Sequence, residues 1–132
     1  MDKNKAAYKL KGLPPVYCIN LDGEPERWFY METQFKYWEI ENYTRISAYD
    51  GREDDLSDII KGKYPDNMNS GEVGCVTSHL KAMKEFLKTD EPYAFIIEDE
   101  CDFDPVRYWS FTWRDIMSKI PYDFDVFQTA II

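Results

Sequence analysis

Short apolar runs alternate with amphipathic segments along this chain of 132 residues. Residues 16–21 follow a pair of prolines and form the first apolar run, which predicts a buried strand. Four large apolar residues then recur at helical spacing and predict a helix that buries one face and ends near residue 38. They are Trp28, Met31, Phe35 and Trp38. Residues 43–48 predict a second strand, closed by a turn signal at Asp50 and Gly51.

The middle of the chain predicts a longer helix. Residues 52–69 are polar and irregular, and they leave room for a short helix at 56–60. Asn69 and Glu72 have the spacing of a capping box, which marks a helix start. The apolar positions that follow form one stripe to about residue 88 and predict the buried face of this helix. They are Val73, Val76, Leu80, Met83 and Leu87.

The last third of the chain continues the alternation. The apolar run at 93–97 predicts a buried strand, residues 106–119 a helix, and residues 125–132 a final strand. Strands that alternate with helices predict an α/β fold with a mainly parallel sheet and helices on both faces. Such a sheet binds ligands along the carboxyl edge of its strands.

Composition predicts one ordered domain. Hydrophobic residues make up 44% of the chain and aromatic residues 17%, which argues against disorder. Residues 1–13 are a polar lead-in that we expect to be loosely ordered, and residues 14–132 form the domain. The net charge of −9 argues against a nucleic-acid partner, because binding to a phosphate backbone requires a basic surface. No run has the length of a membrane span and no signal peptide is recognised, so we expect a cytoplasmic protein.

The three cysteines are Cys18, Cys75 and Cys101. They are widely spaced, each in an apolar context, and none belongs to a CxxC pair, which argues against a zinc site. We expect reduced thiols in or near the core.

Carboxylates crowd the end of the predicted strand at 93–97. Glu98, Asp99 and Glu100 follow it directly, with two more acids at Asp102 and Asp104. Because clustered carboxylates repel one another, a bound Mg²⁺ or Mn²⁺ would relieve the repulsion. The alternative is a solvated acidic loop in an acidic chain. The loops at 20–27, 48–51 and 98–104 would meet at one edge of the sheet, which favours a binding site.

Other polar residues near this edge have two interpretations each. Arg27, in the first turn of the first helix, could clamp a phosphate or form a surface salt bridge with Glu24 or Glu26. Asn20 and Asp22 could bind a base or ribose, although turns favour both residue types. His79 is the sole histidine, and such a residue is more often a packing residue than a base. The chain has no G-x-G-x-x-G, P-loop or nucleophile-elbow motif.

Four segments, in this order, resemble glycosyltransferase family 25, which includes lipooligosaccharide and collagen galactosyltransferases. Residues 16–27 resemble its opening INLD-x-x-x-x-R motif, and residues 46–51 its A-x-D-G segment. Residues 71–80 resemble its GEIGC-x-x-SH helix, and residues 97–100 its EDD motif, the counterpart of the metal-binding DxD motif of GT-A enzymes.

The resemblance implies a GT-A-like (Rossmann-like) domain that binds a UDP-sugar. It also implies that a hexose, first of all galactose, is transferred with inversion to a glycan or protein acceptor, as in lipopolysaccharide biosynthesis. Carried over, the metal ligands would be Glu98, Asp99 and Glu100, holding Mn²⁺ or Mg²⁺. The implied donor-binding residues are Asn20, Leu21, Asp22, Arg27, Asp50, Gly51, Ser78 and His79.

The sequence departs from the family pattern at two points. Glu100 stands where the family usually has Asp. The chain ends at Ile132, whereas family domains usually continue into an acceptor-binding half, so we expect the donor-binding half only. No residue is assigned as the catalytic base, and a non-catalytic module that binds a UDP-sugar or metal is the alternative function.

Overall fold

The fold is an open α/β sheet of Rossmann-like arrangement, as the alternating pattern predicts. A computed structural model describes residues 2–62 and 66–129. The strands are β1 (Val16–Asn20), β2 (Tyr43–Ser47) and β3 (Phe95–Glu98). All pairings are parallel and the order is β2-β1-β3, so the first strand lies in the centre. Ile19 pairs with Ile46 on one side and with Glu98 on the other, which aligns the three carboxyl ends at one edge.

Three α-helices and two short 3₁₀ helices connect and flank the strands. They are α1 (Pro25–Tyr37), α2 (Ser70–Leu87), α3 (Trp113–Lys119) and the 3₁₀ turns Ala7–Leu10 and Asp104–Tyr108. Within the described residues, no helix combines the length and the apolar character required to cross a bilayer.

The first helix covers one face of the sheet and confirms its predicted buried side. Met31 and Phe35 are fully buried and Trp38 nearly so, packed against Val16 and Cys18 of β1. Side chains of successive strand residues point to opposite faces, so Tyr17 and Ile19 face the other helix, α2.

The second helix begins as predicted but buries a different side. The capping box of Asn69 and Glu72 is present in both directions. The predicted apolar stripe is wrong beyond its first member: Val76, Leu80 and Met83 are exposed, as is Leu87. The buried positions are small or polar instead, namely Val73, Gly74, Thr77, Ser78 and Ala82. Small side chains allow this helix to approach the neighbouring backbone closely.

The predicted lead-in over residues 1–13 contains an ordered turn within the described part. Ala7 and Leu10 are buried, and Leu10 belongs to the core under α1. Lys9 Nζ also donates to the carbonyl oxygens of Arg107 and Trp109, 2.7 Å away in each case. Apolar anchors therefore hold a segment whose average composition is polar.

Three further secondary-structure predictions differ from the structure. The helix expected at 106–119 is divided into the 3₁₀ turn and α3, because Thr112 caps a new helix through Asp115. Residues 56–60 form a turn rather than a helix. Residues 125–129 of the predicted final strand are not a strand: Val126 is 83% exposed, and among the described residues the sheet consists of β1, β2 and β3. Residues 130–132 lie outside the described range.

Candidate functional site

Asn20 joins the three strand ends at the carboxyl edge of the sheet. Its side chain is buried and its Nδ2 donates to Asp99 Oδ2 at 2.7 Å and to the Glu24 carbonyl oxygen at 3.0 Å. Its Oδ1 accepts from Arg45 Nε at 2.9 Å. The Asn20 amide thus links the loop of residues 98–104, called the acidic loop below, to the start of α1 and to β2. Asn20 does not line the pocket described below, so its predicted role in donor binding stays a prediction.

Asp22 belongs to a polar group on the β2 side of the edge. Its Oδ1 accepts from Arg45 Nη2 at 2.6 Å and from Ser47 Oγ at 2.7 Å. The hydrogen bond from Arg45 lowers the pKa of this exposed carboxyl, and the Ser47 bond adds to the effect. Asp22 is therefore anionic at neutral pH and holds Arg45 in place.

The loop after β2 rests directly on the backbone of α2. A Cβ added to Gly74 would lie 2.6 Å from Gly51 N and 2.8 Å from the Tyr49 carbonyl oxygen. Ser78 is buried, and its Oγ accepts from Tyr49 N at 2.9 Å and donates to the Gly74 carbonyl oxygen at 2.6 Å. Two of the segments that carry the sequence resemblance therefore meet here, with only glycine tolerated at the contact.

Arg27 faces the acidic loop and not the neighbouring acids of its own helix. Its guanidinium lies 3.7 Å from Asp99 Oδ1 and 3.4 Å from Glu100 Oε2. The surface pairing with Glu24 or Glu26 considered from the sequence is absent from the ion pairs of the described residues. Arg27 is instead a cation held at the edge of the acidic loop, about half exposed.

Glu98 points the other way, toward α2. Its Oε1 lies 2.9 Å from His79 Nε2 and accepts from Cys75 Sγ at 3.1 Å. The hydrogen bond to His79 lowers the pKa of Glu98 against the effect of burial. Partial desolvation of the thiol, together with the hydrogen bond to Glu98, raises the pKa of Cys75 to about 11. His79 thus pairs with Glu98, the carboxylate that begins the acidic loop, and its role in the site stays a prediction.

Cys75 departs from the expected core location. It is exposed, whereas Cys18 is fully buried and Cys101 partly buried. All three thiols are free.

A pocket of about 170 Å³ opens between the acidic loop, the loop after β2 and the first turns of α2. Most of the residues singled out from the sequence line it: Leu21, Arg27, Asp50, Gly51, Ser78, Glu98, Asp99 and Glu100. Asn20, Asp22 and His79 are not among the lining residues. This volume is below the roughly 300–1,000 Å³ of typical small-molecule sites, so the pocket would enclose only part of a nucleotide sugar.

The pocket is acidic overall but has two sources of positive potential. Four carboxylates line it, from Asp50, Glu98, Asp99 and Glu100, against the guanidinium groups of Arg27 and Arg52. The amino end of α2 reaches it through Gly71, and the helix dipole makes that end favourable for anions. A phosphorylated ligand would therefore need an added cation to offset the remaining negative charge.

The residues fit a hard divalent cation in donor type. Glu98, Asp99 and Glu100 offer carboxylate oxygens, which Mg²⁺ and Mn²⁺ prefer. Mg²⁺ commonly uses one or two protein carboxylates and completes its shell with water and substrate phosphate. Asp99 and Glu100, on the Arg27 side of the pocket, suit that mode. Glu98 is turned toward His79 instead.

Three residues of this edge were missed from the sequence. In the sequence, Arg45 is simply a polar residue within a predicted strand. Its contacts with Asn20 and Asp22 arise only when β2 pairs with β1. Arg52 follows the predicted turn and pairs with Asp50 at 3.6 Å. Cys75 precedes His79 by four positions, a spacing that places both on one helix face and could have shown the pair.

Comparison with known proteins identifies one relationship. A family model described as "Glycosyltransferase family 25 (LPS biosynthesis protein)" matches residues 13–115. Neither a curated protein nor a solved structure matches the chain. The matched range includes all three strands and both loops of the pocket.

Proposed function

The chain belongs to glycosyltransferase family 25, and on this premise we propose that it transfers a hexose from a UDP-sugar to a hydroxyl group. The sugar proposed is galactose, and the acceptor is a glycan, as in lipopolysaccharide biosynthesis, or a protein. The single observation that carries the proposal is the convergence of the four family-like segments on one pocket at the carboxyl edge of the sheet. The same convergence supports our proposal that this edge is used as in GT-A enzymes.

The donor would lie with its diphosphate between Arg27 and the amino end of α2. Arg27 can donate to phosphate oxygens from its place above Asp99 and Glu100. Asp50 and Gly51 form the wall contributed by the loop after β2, and Leu21 also lines the pocket. These residues would contact the nucleoside or sugar. Ser78 holds the loop through Tyr49 N, so we propose that it supports this wall rather than the ligand itself.

The acidic loop would hold Mn²⁺ or Mg²⁺ beside the diphosphate through Asp99 and Glu100, whereas Glu98, the third ligand that the resemblance implies, is turned toward His79. Such a cation, when bound, neutralises the charge that develops on departing UDP. Asn20 supports the site by donating to Asp99 Oδ2, which fixes one carboxylate in orientation. Arg27 limits the repulsion between Asp99 and Glu100 before a ligand arrives.

The proposed reaction is an inverting displacement at the anomeric carbon. The acceptor hydroxyl oxygen forms a bond to that carbon while the bond to the UDP oxygen breaks, and UDP leaves with the electron pair. The proton of the hydroxyl passes to a general base. The non-catalytic alternative remains the binding of a UDP-sugar in the same pocket without this displacement.

A transfer assay tests the proposal. UDP-galactose, Mn²⁺ and lipooligosaccharide acceptors would be incubated with the protein, with released UDP and glycosylated product measured and the anomeric configuration read by NMR. We expect product of inverted configuration that requires the metal. Glu100→Gln should lower its rate, while Glu85→Gln, at the far end of α2 and paired with Lys88, should not.

The outcomes separate the two functions. Binding of UDP-galactose without product would replace the enzyme with the binding module. Equal rates with and without divalent metal would reject the metal-dependent mechanism, and retention of configuration would reject the inverting one.

A further inference from the structure

We propose that Cys75, His79 and Glu98 form a Zn²⁺ site that is distinct from the Mg²⁺ or Mn²⁺ position at Asp99 and Glu100. One ligand atom from each of the three residues lies within 4.8 Å of the other two. The proposal depends on the geometry of these side chains and not on which sugar nucleotide, if any, the pocket binds.

The helix presents two of the ligands together. Cys75 and His79 are four residues apart in α2, so their side chains share one face, one turn apart. Two ligands at this spacing on a helix occur in known zinc sites. The third ligand, Glu98, is the last residue of β3 and is held by the parallel pairing with β1. Two rigid elements thus supply all three donors.

The two existing contacts of the cluster meet at one ligand atom, Glu98 Oε1. Glu98 Oε1 lies 3.1 Å from Cys75 Sγ and 2.9 Å from His79 Nε2. Ligand atoms around a tetrahedral Zn²⁺ would be roughly 3.3–3.6 Å apart, given Zn–S near 2.3 Å and Zn–N or Zn–O near 2.0 Å. Small side-chain adjustments therefore make room for the ion, which displaces the thiol proton as the thiolate becomes a ligand.

The donor types select the metal. A thiolate, an imidazole and one carboxylate suit Zn²⁺, a borderline-soft cation, whereas Mg²⁺ and Mn²⁺ prefer oxygen alone. Asp99 and Glu100 lie on the side of Arg27 and provide oxygen only. The two positions should consequently differ in metal preference, although Glu98 lies between them.

The coordination would be open on one side. Cys75 and Glu98 both line the pocket, and the site has three protein ligands. A tetrahedral Zn²⁺ held by three protein ligands keeps its fourth position for water or a ligand oxygen. That position would face the pocket, where Zn²⁺ would add positive charge to an acidic wall.

Cobalt spectroscopy tests the site without reference to activity. Metal-free protein in a phosphine reductant would be titrated with Co²⁺, which takes the place of Zn²⁺ and gives a near-ultraviolet charge-transfer band when bound by thiolate. We expect a band that saturates at one equivalent, is abolished by Zn²⁺ and persists in excess Mg²⁺. Cys75→Ser should lose the band, and His79→Gln should weaken Zn²⁺ binding about 100-fold or more, since even outer-shell changes cost about 10–100-fold.

Cys101→Ser is the matched control, because it removes the partly buried thiol just after the acidic residues and leaves the three ligands in place. It should keep the parent band. Circular dichroism would check that Cys75→Ser, at an exposed position, retains the fold. Absence of a band from the parent protein, or a band that survives in Cys75→Ser and disappears in Cys101→Ser, would overturn the proposal. UDP binding with Mg²⁺ is measured separately, so loss of the donor site and loss of the zinc site are distinguishable.

Discussion

The two faces of the sheet are built differently. Beneath α1, a cluster of large buried side chains contains Phe35, Met31 and Trp38, and the acidic loop adds Phe103. Beneath α2, the buried cluster consists of Tyr17, Ile19, Ile46 and Ala82. Beneath α1, aromatic and other large side chains fill the space between the helix and the sheet. On the α2 side, the helix backbone at Gly74 approaches the backbone of the loop after β2 closely.

The two faces should therefore contribute differently to stability and to the proposed site. Burial of large apolar side chains is the main favourable contribution to folding, so the α1 face should carry most of it. The α2 face sacrifices such burial, and its small residues let Gly74 contact Gly51 and Ser78 hold Tyr49. That close contact forms one wall of the pocket. The proposed site thus lies on the face that buries fewer large apolar side chains.

The largest effect should come from the α1 face. Phe35→Ala removes a ring that is stacked on Tyr43 with centroids 4.4 Å apart, and we expect the free energy of unfolding to fall by about 3–5 kcal/mol. Phe29→Ala, on the same helix but 72% exposed, is the control and should change it by no more than about 0.5 kcal/mol. Urea unfolding measures both. Similar losses for the two variants would remove the distinction between buried and exposed sides of α1.

Alkaline pH should lower the free energy of unfolding through Cys18, which is buried on the same face. Burial raises the pKa of this thiol to about 12 from the usual 9.0. Below pH 9 the thiol is protonated in both states, but above it the unfolded thiol ionises first and stabilises the unfolded chain. The free energy of unfolding should therefore decrease from pH 9 to pH 11, by an amount on the order of 2 kcal/mol greater than in Cys18→Ala. Parallel pH profiles of the two proteins would contradict this.

The contact between α2 and the loop should be next in magnitude. Glycine to alanine within an exposed helix normally stabilises by about 1 kcal/mol. Gly74→Ala should do the reverse, with a loss of about 1–3 kcal/mol, because its Cβ would meet Gly51 N and the Tyr49 carbonyl oxygen. Gly23→Ala, with open space around the added Cβ, is the control. Thermal unfolding measures the sign, and a stabilised Gly74→Ala would show that the loop does not rest on this helix.

The smallest effect should come from the outer side of α2. Leu80 belongs to the apolar stripe predicted to be buried, yet it is 49% exposed. Leu80→Gln should therefore change the free energy of unfolding by no more than about 0.5 kcal/mol in urea. A loss comparable to that of Phe35→Ala would restore the stripe as a buried face.

The sequence predicted α1 well and α2 poorly for a physical reason. In α1, size and periodicity agree, since the large apolar residues at helical spacing are the ones that pack. In α2, the apolar stripe competes with a second face of Gly74, Ser78 and Ala82. Hydrophobic periodicity assigns the face with large apolar residues to the core. It carries no information about how closely the helix backbone approaches its neighbour.

The gathering of the strand ends was predicted better than the directions of the side chains there. The three strand ends gathered as expected, because parallel strands share a carboxyl edge. Side-chain direction could not be read from consecutive acids: Glu98 turns to His79 and Asp99 to Asn20. The partners of Arg45 likewise depend on strand register, which a single sequence does not supply.

Calorimetric titration of UDP in the presence and absence of Mn²⁺ tests the central claim most directly, namely that the pocket binds a nucleotide diphosphate through a cation on the acidic loop. We expect saturable binding with Mn²⁺, at least tenfold weaker binding without it (about 1.4 kcal/mol), and weakened metal-dependent binding in Glu100→Gln. Equal affinity with and without the metal, or no binding in either condition, would contradict the claim.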